Sequence, residues 1–477
     1  MALERDINLI YETNEEGIPT AINEETFEET LVGLLKEHEK GIGRLDTLWN
    51  YYDGKQRIIE QDRDKYNNKV MVNHAEFITD FATSYFMGNP IQYTWEVDEE
   101  GENPGAENIQ QAFTDAKINI IDTKLATYLS IFGESIEIVY QDRYGNTKSG
   151  VLDPRNAFIV DDDTVEYIEL LGVHRYPKIN AQGEEDGEVI QVYTALQEKR
   201  VYSYNRGILK LEEDPKNIVF SQIPLIRYAN KPNKKGDFES VISLIDAYNV
   251  LESSRINDKE QFVDSILAVY GAILGDSLEQ KTETSKTIAD LGMVELPENS
   301  KMEFVTKTFQ EADINILKND IKEDIHKISK VPDLTDENFA SNSSGVAMGY
   351  KLLGLEQLAQ QKEAWYKIGI RKRIELYREV LGIRQLEVDA DTITPVFTRS
   401  LPTNELETAQ IVNLLENKVS RKTLLQQISF IEDVNQEIKR LKQEEEERQE
   451  QRNVIFGNYN IPDETQEIDY GQPEEEE

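Results

Sequence analysis

The sequence contains no cysteine. Any disulfide framework and any thiolate-held metal are thereby excluded, which fits a reducing compartment. Histidine is nearly as scarce. His38, His74, His174 and His326 are the only four, and they are scattered rather than spaced as ligands. Long hydrophobic runs are missing too. The longest, Ile266–Leu274, falls far short of the roughly 20 apolar residues of a membrane-spanning helix, so no membrane partner is expected. The N-terminus, MALERDINLIYETNEEG, lacks the cationic and apolar halves of a signal peptide, and a soluble product made in the cytoplasm is expected. Positive charge is short as well: 52 Lys and Arg face 91 Asp and Glu, for a net charge of −39. A chain this acidic repels free nucleic acid at long range and lacks the clustered cations that tight phosphate binding requires. No P-loop, GxGxxG, GxSxG or HExxH pattern is present, so no catalytic role and no cofactor are expected.

What is present is a chain of 477 residues, long enough for two or three domains, with the hydrophobic content of a globular protein. Residues 1–45 read as an acidic arm and a helix, with Phe27, Leu31, Leu34 and Leu35 on one face and Asn23 as its cap. Val70–Met87 has helical spacing and is stopped by Gly88-Asn89-Pro90. Ile91–Trp95 alternates like a strand, and one helix is predicted over about 106–132. Residues 133–228 change character. Short runs rich in β-branched and aromatic residues, at Ser135–Gln141, Phe158–Asp161, Val165–Gly172, Val189–Ala195, Arg200–Tyr204, Ile208–Leu211 and Ile218–Phe220, predict an antiparallel region. The class is therefore α+β.

Helix returns at about 238–266, and its polarity rises along its length. A small module at 267–308 is expected to hold a hairpin of Met293–Leu296 and Met302–Val305. A helix over Phe309–Ser329 carries Ile314, Leu317, Ile321, Ile325 and Ile328 on one face and spans about 31 Å. Pro332 breaks it, a polar loop runs to Gly345, and a second long helix is predicted from Val346 to Leu381. Thr394–Phe397 reads as an edge strand because of Pro395. From Thr403 the chain is helical, with Leu406, Ile411, Leu414, Leu415 and Val419 on one face and Ser420 and Asp433 as caps. Residues 451–477 read as an acidic, disordered tail.

Few constellations suggest chemistry. Asp161-Asp162-Asp163 suits either a hard cation or, preferably, a solvated turn. Glu134 and Glu137 read as sheet surface. Lys327 and Lys330 complement the C-terminus of the first long helix, and they would ring an opening if several copies surrounded an axis.

Several stretches together carry a family resemblance. They are Val72-Asn73-His74 through Gly88-Asn89-Pro90-Ile91, Ile131–Ser135, Leu152-Asp153-Pro154, Asp246-Ala247-Tyr248-Asn249, Val331-Pro332-Asp333-Leu334, Ser343–Ala347 with Lys351-Leu352, Leu401–Asn404, and Val419–Leu425. In this order the chain resembles the portal proteins of tailed bacteriophages, in the family typical of siphophages of Gram-positive bacteria, over about residues 70–440. The resemblance implies a homo-oligomeric, dodecameric ring at one capsid vertex of the virion, through which double-stranded DNA enters and leaves. It also implies a map: wing 46–236, stem helices 237–267 and 309–330, clip 268–308, tunnel loop 331–345, long backbone helix and return strand 346–400, and crown 401–450. The implied partners are the terminase large subunit, a head-completion adaptor protein, and the major capsid and scaffolding proteins. On this reading Asp336, Asn338, Ser341, Asn342, Ser343 and Ser344 line the channel and touch DNA weakly and without sequence preference, and Lys327 and Lys330 face it. The rival readings are a non-viral acidic helical scaffold and, more remotely, a carboxylate–metal hydrolase built on Asp161–Asp163.

Overall fold

The computed structural model describes residues 11–456 except 14–18, 22–26, 62–66, 97–102, 163–164, 166, 196, 264–265, 271–276, 292–297, 306–310, 334–348, 387, 401–404, 417, 427, 429–430 and 432–433. The chain divides into two units, Met1–Ser400 and Leu401–Glu477.

The first unit opens with a hairpin of β1 (Tyr11–Thr13) and β2 (Pro19–Ala21), followed by helix α1 (Phe27–Tyr52). The expected face of α1 is buried: Phe27, Leu31, Leu34 and Leu35 sit against a sheet core that includes Val173, Ile190, Val192 and Tyr202. Further along the same helix, Leu45, Leu48 and Tyr51 enter a different and larger core. The short α2 (Arg57–Glu60) leads to α3 (His74–Met87), whose cap is Asn73, accepting from the Glu76 amide. Strand β3 (Gln92–Thr94) follows. The single helix expected at 106–132 is two, α4 (Pro104–Asp115) and α5 (Ile118–Phe132). Lys117 between them has φ +56°, a left-handed conformation that no continuous helix contains. Gly133 ends α5 at φ +84°, and a Cβ there would meet the Lys234 carbonyl oxygen at 2.0 Å. Only glycine fits both requirements.

The β region forms two antiparallel sheets. Strand β4 (Glu134–Gln141) lies between β5 (Thr147–Leu152) and the last strand, β11 (Leu225–Ala229). The meander β6 (Ala157–Asp161), β7 (Glu169–Ile179), β8 (Glu185–Thr194), β9 (Glu198–Asn205) and β10 (Ile208–Asn217) makes the other. The strand expected at Ile218–Phe220 is absent; the chain there is a connection, and Leu225–Ala229 supplies the strand instead.

A turn of 3-10 helix at Glu239–Val241 starts α6 (Ile242–Val263). Strand β12 (Ile266–Tyr270) then pairs with β13 (Lys301–Val305), and α7 (Leu278–Leu291) lies between them in sequence. The described partner of Met302–Val305 is thus the apolar run at Ile266; Met293–Leu296 lies outside the described residues. Helix α8 (Glu311–Ser329) packs on α6, and α9 (Leu353–Ile383) runs through the main core. Strand β14 (Thr394–Val396) pairs with β3 and closes the unit. The unit's last residues are fastened to the end of α3, because the Ser400 amide donates to Tyr85 and the Asn89 side chain donates to the Thr398 and Arg399 carbonyls.

Two buried ion clusters fix α9. Arg373 Nε donates to both Glu137 oxygens at 3.0 and 2.9 Å, and its Nη2 donates to Asp122 at 2.7 Å. The Tyr366 and Tyr228 hydroxyls donate to Asp122 and Glu137. Burial pushes the Asp122 carboxyl up, against the pull of Arg373. Glu137 is therefore not sheet surface, because its face of β4 is turned to α9. About three helical turns earlier, Lys362 pairs with buried Asp237, which Asn230 and Ser130 also hold. Burial alone would raise the Asp237 carboxyl; Lys362 beside it keeps it below the usual range.

The second unit contains α10 (Glu405–Leu415), α11 (Arg421–Leu425) and α12 (Val434–Phe456). Ser420 caps α11 through the Thr423 amide, as expected, and Asp433 lies outside the described residues. Helix α12 reaches Phe456, past residue 450 where the tail was placed.

Candidate functional site

The place where α8 ends is where the long helices and the polar loop meet. Its position follows from local sequence. Helical spacing carries α8 to Ser329, and Pro332 forbids its continuation. Lys330 takes φ +61°, the left-handed position that closes a helix. Its aliphatic stem lies across Gly354 in the first turn of α9, within 3.4–3.9 Å of where a Cβ would sit. Val331 is fully buried beside Ala82, Phe86 and Leu355.

Lys327 and Lys330 are both exposed at this helix end, and neither has an ion-pair partner among the described residues. They stand where the sequence places them, three residues apart at the entrance to the loop. Asp336, Asn338, Ser341, Asn342, Ser343 and Ser344 lie outside the described residues.

Two histidines that the sequence leaves scattered come together here. The rings of His74 on α3 and His326 on α8 are 5.9 Å apart and perpendicular. His74 also meets Tyr248 on α6 edge-on at 4.8 Å, and His326 meets Phe77 at 5.7 Å. Burial, with His326 and Lys322 nearby, lowers His74 to about 4. Burial also lowers His326, against the contribution of its hydrogen bond to Val331. Both imidazoles are therefore neutral at pH 7. No short-range signal announces this pair, because the two residues belong to helices far apart in sequence.

The paired helices α6 and α8 are joined by Lys318, which bonds Glu252 at 2.5 Å and lies 5.9 Å from the Tyr248 ring. Of the expected apolar face on α8, Ile325 is buried, while Leu317 and Ile328 are 51% and 50% exposed. Ile316 is 59% exposed beside them. A single copy thus leaves much of this helix's apolar surface open to a neighbour.

Over residues 33–451 the chain matches the family described as phage portal protein, SPP1 Gp6-like. This chain belongs to that family. It is 21% identical to the portal protein of Bacillus phage SPP1 over 422 residues, which cover 83% of this chain and 79% of that one. It is also 22% identical to the portal protein of Clostridium phage phiCD119 over 232 residues, covering 46% of this chain and 47% of the relative. The portal match takes in both buried ion clusters, the paired helices α6 and α8, and the stretch that follows α8.

Membership in the portal family leaves the carboxylate-metal reading without support, and the geometry disfavours it separately. Asp161 is spent on Arg227 at 2.5 Å, and Asp162 is buried, accepting from the Ile168 amide at 2.9 Å. Asp163 lies outside the described residues. Among the described residues no group of three or more metal-ligating side chains exists. No helix among them is long and apolar enough to cross a membrane.

Proposed function

We propose that this chain is the subunit of a dodecameric ring at one capsid vertex, and that double-stranded DNA passes through its centre during packaging and ejection. The family match along residues 33–451 carries the reading. The exposed apolar residues of α8 support it, since a closed ring of copies would cover them. Residues 331–345 are the loop nearest the passage, and Lys327 and Lys330 face it. Residues 46–236 with the return strand form the outer wing, 268–308 the clip, and 401–450 the crown. The clip receives the terminase large subunit and later the head-completion adaptor. Wing and crown face the major capsid and scaffolding proteins. The finished ring is part of the virion.

The charge fits this use. A wall carrying −39 per copy keeps a moving polyanion from sticking, where a basic wall would hold it by counterion release. Electron microscopy of the purified protein tests the proposal. Rings with a central hole are expected, and compact monomers or dimers would sink it in favour of an acidic helical scaffold.

A further inference from the structure

The chain leaves α8 through a turn that costs energy. Lys330 sits in the left-handed region, which is unfavourable by roughly 1 kcal/mol for a side chain with a Cβ. Glycine would relieve that cost and is not used. The surrounding contacts over-determine the turn instead.

Four contacts act on residues 329–333. His326 Nδ1 lies 3.0 Å from the Val331 carbonyl oxygen. A carbonyl only accepts, so Nδ1 carries the proton and the tautomer is fixed. The Ser329 hydroxyl bridges the same turn, accepting from the Val331 amide at 3.4 Å and donating to the His326 carbonyl at 3.3 Å. The Val331 side chain is buried against α3 and α9. Asp333 then pairs with Lys322 at 2.6 Å. Lys322 and His326 are one helical turn apart, so both reach forward from one face of α8 to the same short segment.

His326 is itself boxed in. The rings of Phe77 and His74 of α3 stand nearly perpendicular to it, and Tyr248 of α6 packs on His74 in turn. The imidazole cannot swing away without opening the junction of three helices. The charged groups facing it are Lys322 on its own helix and Asp333 on the segment it holds, and His74 is the titratable group opposite.

We infer that His326 and Lys322 are positioning residues of the portal subunit: they fix the direction in which the chain leaves the stem helix, with His74 as the backstop. The position and direction of the chain at Asp333 are then identical in every copy of the ring. The inference rests on the proposed role of residues 331–345 in the channel.

Hydrogen exchange of the full-length protein, read by mass spectrometry over 326–334, tests the clamp itself. His326→Leu is expected to speed exchange at Val331 and Asp333 at least tenfold, with α3 and α6 unchanged. His326→Asn places an amide N–H where Nδ1 stood and should stay within about threefold of the parent. Lys322→Gln, at a half-exposed site, should loosen Asp333 while Val331 stays protected. Unchanged exchange in His326→Leu overturns the inference. So does loss of protection throughout α3 and α6, which would make His326 merely a core residue. If His326→Leu does not fold, Lys322→Gln decides alone: loosening confined to Asp333 supports the clamp, and no change removes it. DNA packaging by the same variants is a separate measurement. Faster exchange with normal packaging would leave the clamp standing and overturn the channel role of the loop.

Discussion

Arg373→Met is the sharpest test of what holds the long helix in place. The arginine is 0% exposed, and its partners Glu137 and Asp122 are 0% and 3% exposed. Methionine fills much of the same volume but leaves two carboxylates in the core without a cation. Removing one side of a buried ion cluster costs about 3–5 kcal/mol, mostly because the remaining charge has no partner. Unfolding entropy near 2.1 cal/mol/K per residue, over a unit spanning Met1–Ser400, converts that loss to about 4–6 °C in Tm. Calorimetry at matched protein concentration reads the shift, and matching matters because assembly itself raises Tm. Arg373→Met combined with Asp122→Asn and Glu137→Gln removes all the charge at once. The amides still offer oxygens to the Tyr366 and Tyr228 hydroxyls, so at least half of the lost Tm should return. A shift below about 1 °C for Arg373→Met alone would refute the reasoning, as would a triple variant less stable than the single one.

Three further outcomes are expected. His74 is held near 4 when folded and returns to about 6.5 when unfolded, so the unfolded chain takes up the proton first. Stability should therefore fall as pH drops from about 6.5 to about 4, by roughly 3 kcal/mol, and His74→Leu should flatten that part of a urea-midpoint profile; an identical slope in the variant would contradict it. A Cβ on Gly369 would lie 2.3–2.8 Å from three ring atoms of Tyr228, so Gly369→Ala should lower the urea midpoint by an amount equivalent to about 1–3 kcal/mol. Replacing Lys327 and Lys330 together by Ala should weaken DNA retention while rings still form; unchanged packaging and retention would count against their facing the channel.

What could be read from the sequence is what local rules govern. The Ser420 cap, the Gly88–Pro90 stop and the break at Pro332 are all decided within a few residues, and each stands where the sequence puts it. Pro395 marked β14 correctly as a strand with one partner among the described residues, since it pairs with β3 alone. Three of the misreadings involve distant partners or backbone conformations without a residue signature. Glu137 has Ile and Val neighbours and looks like sheet surface, because its cation is 236 residues away. The split at Lys117 uses a left-handed lysine where glycine would have announced it. Strand β12 passes over an intervening helix to find β13. The site divides in the same way. Lys327 and Lys330 follow from the helix end, whereas the contact of His74 with His326 exists only once α3 and α8, far apart in sequence, have converged.

Helix α1 has one more consequence. Its first turns belong to the core of the five-stranded sheet, and its later turns to the main core, with unbroken helix between. The sheet therefore has no seam along which to part from the helical body. Peeling it off means either exposing Phe27, Leu31, Leu34 and Leu35 together or snapping a helix in its middle. Loss of the sheet and loss of the helical body are thereby coupled through one continuous helix.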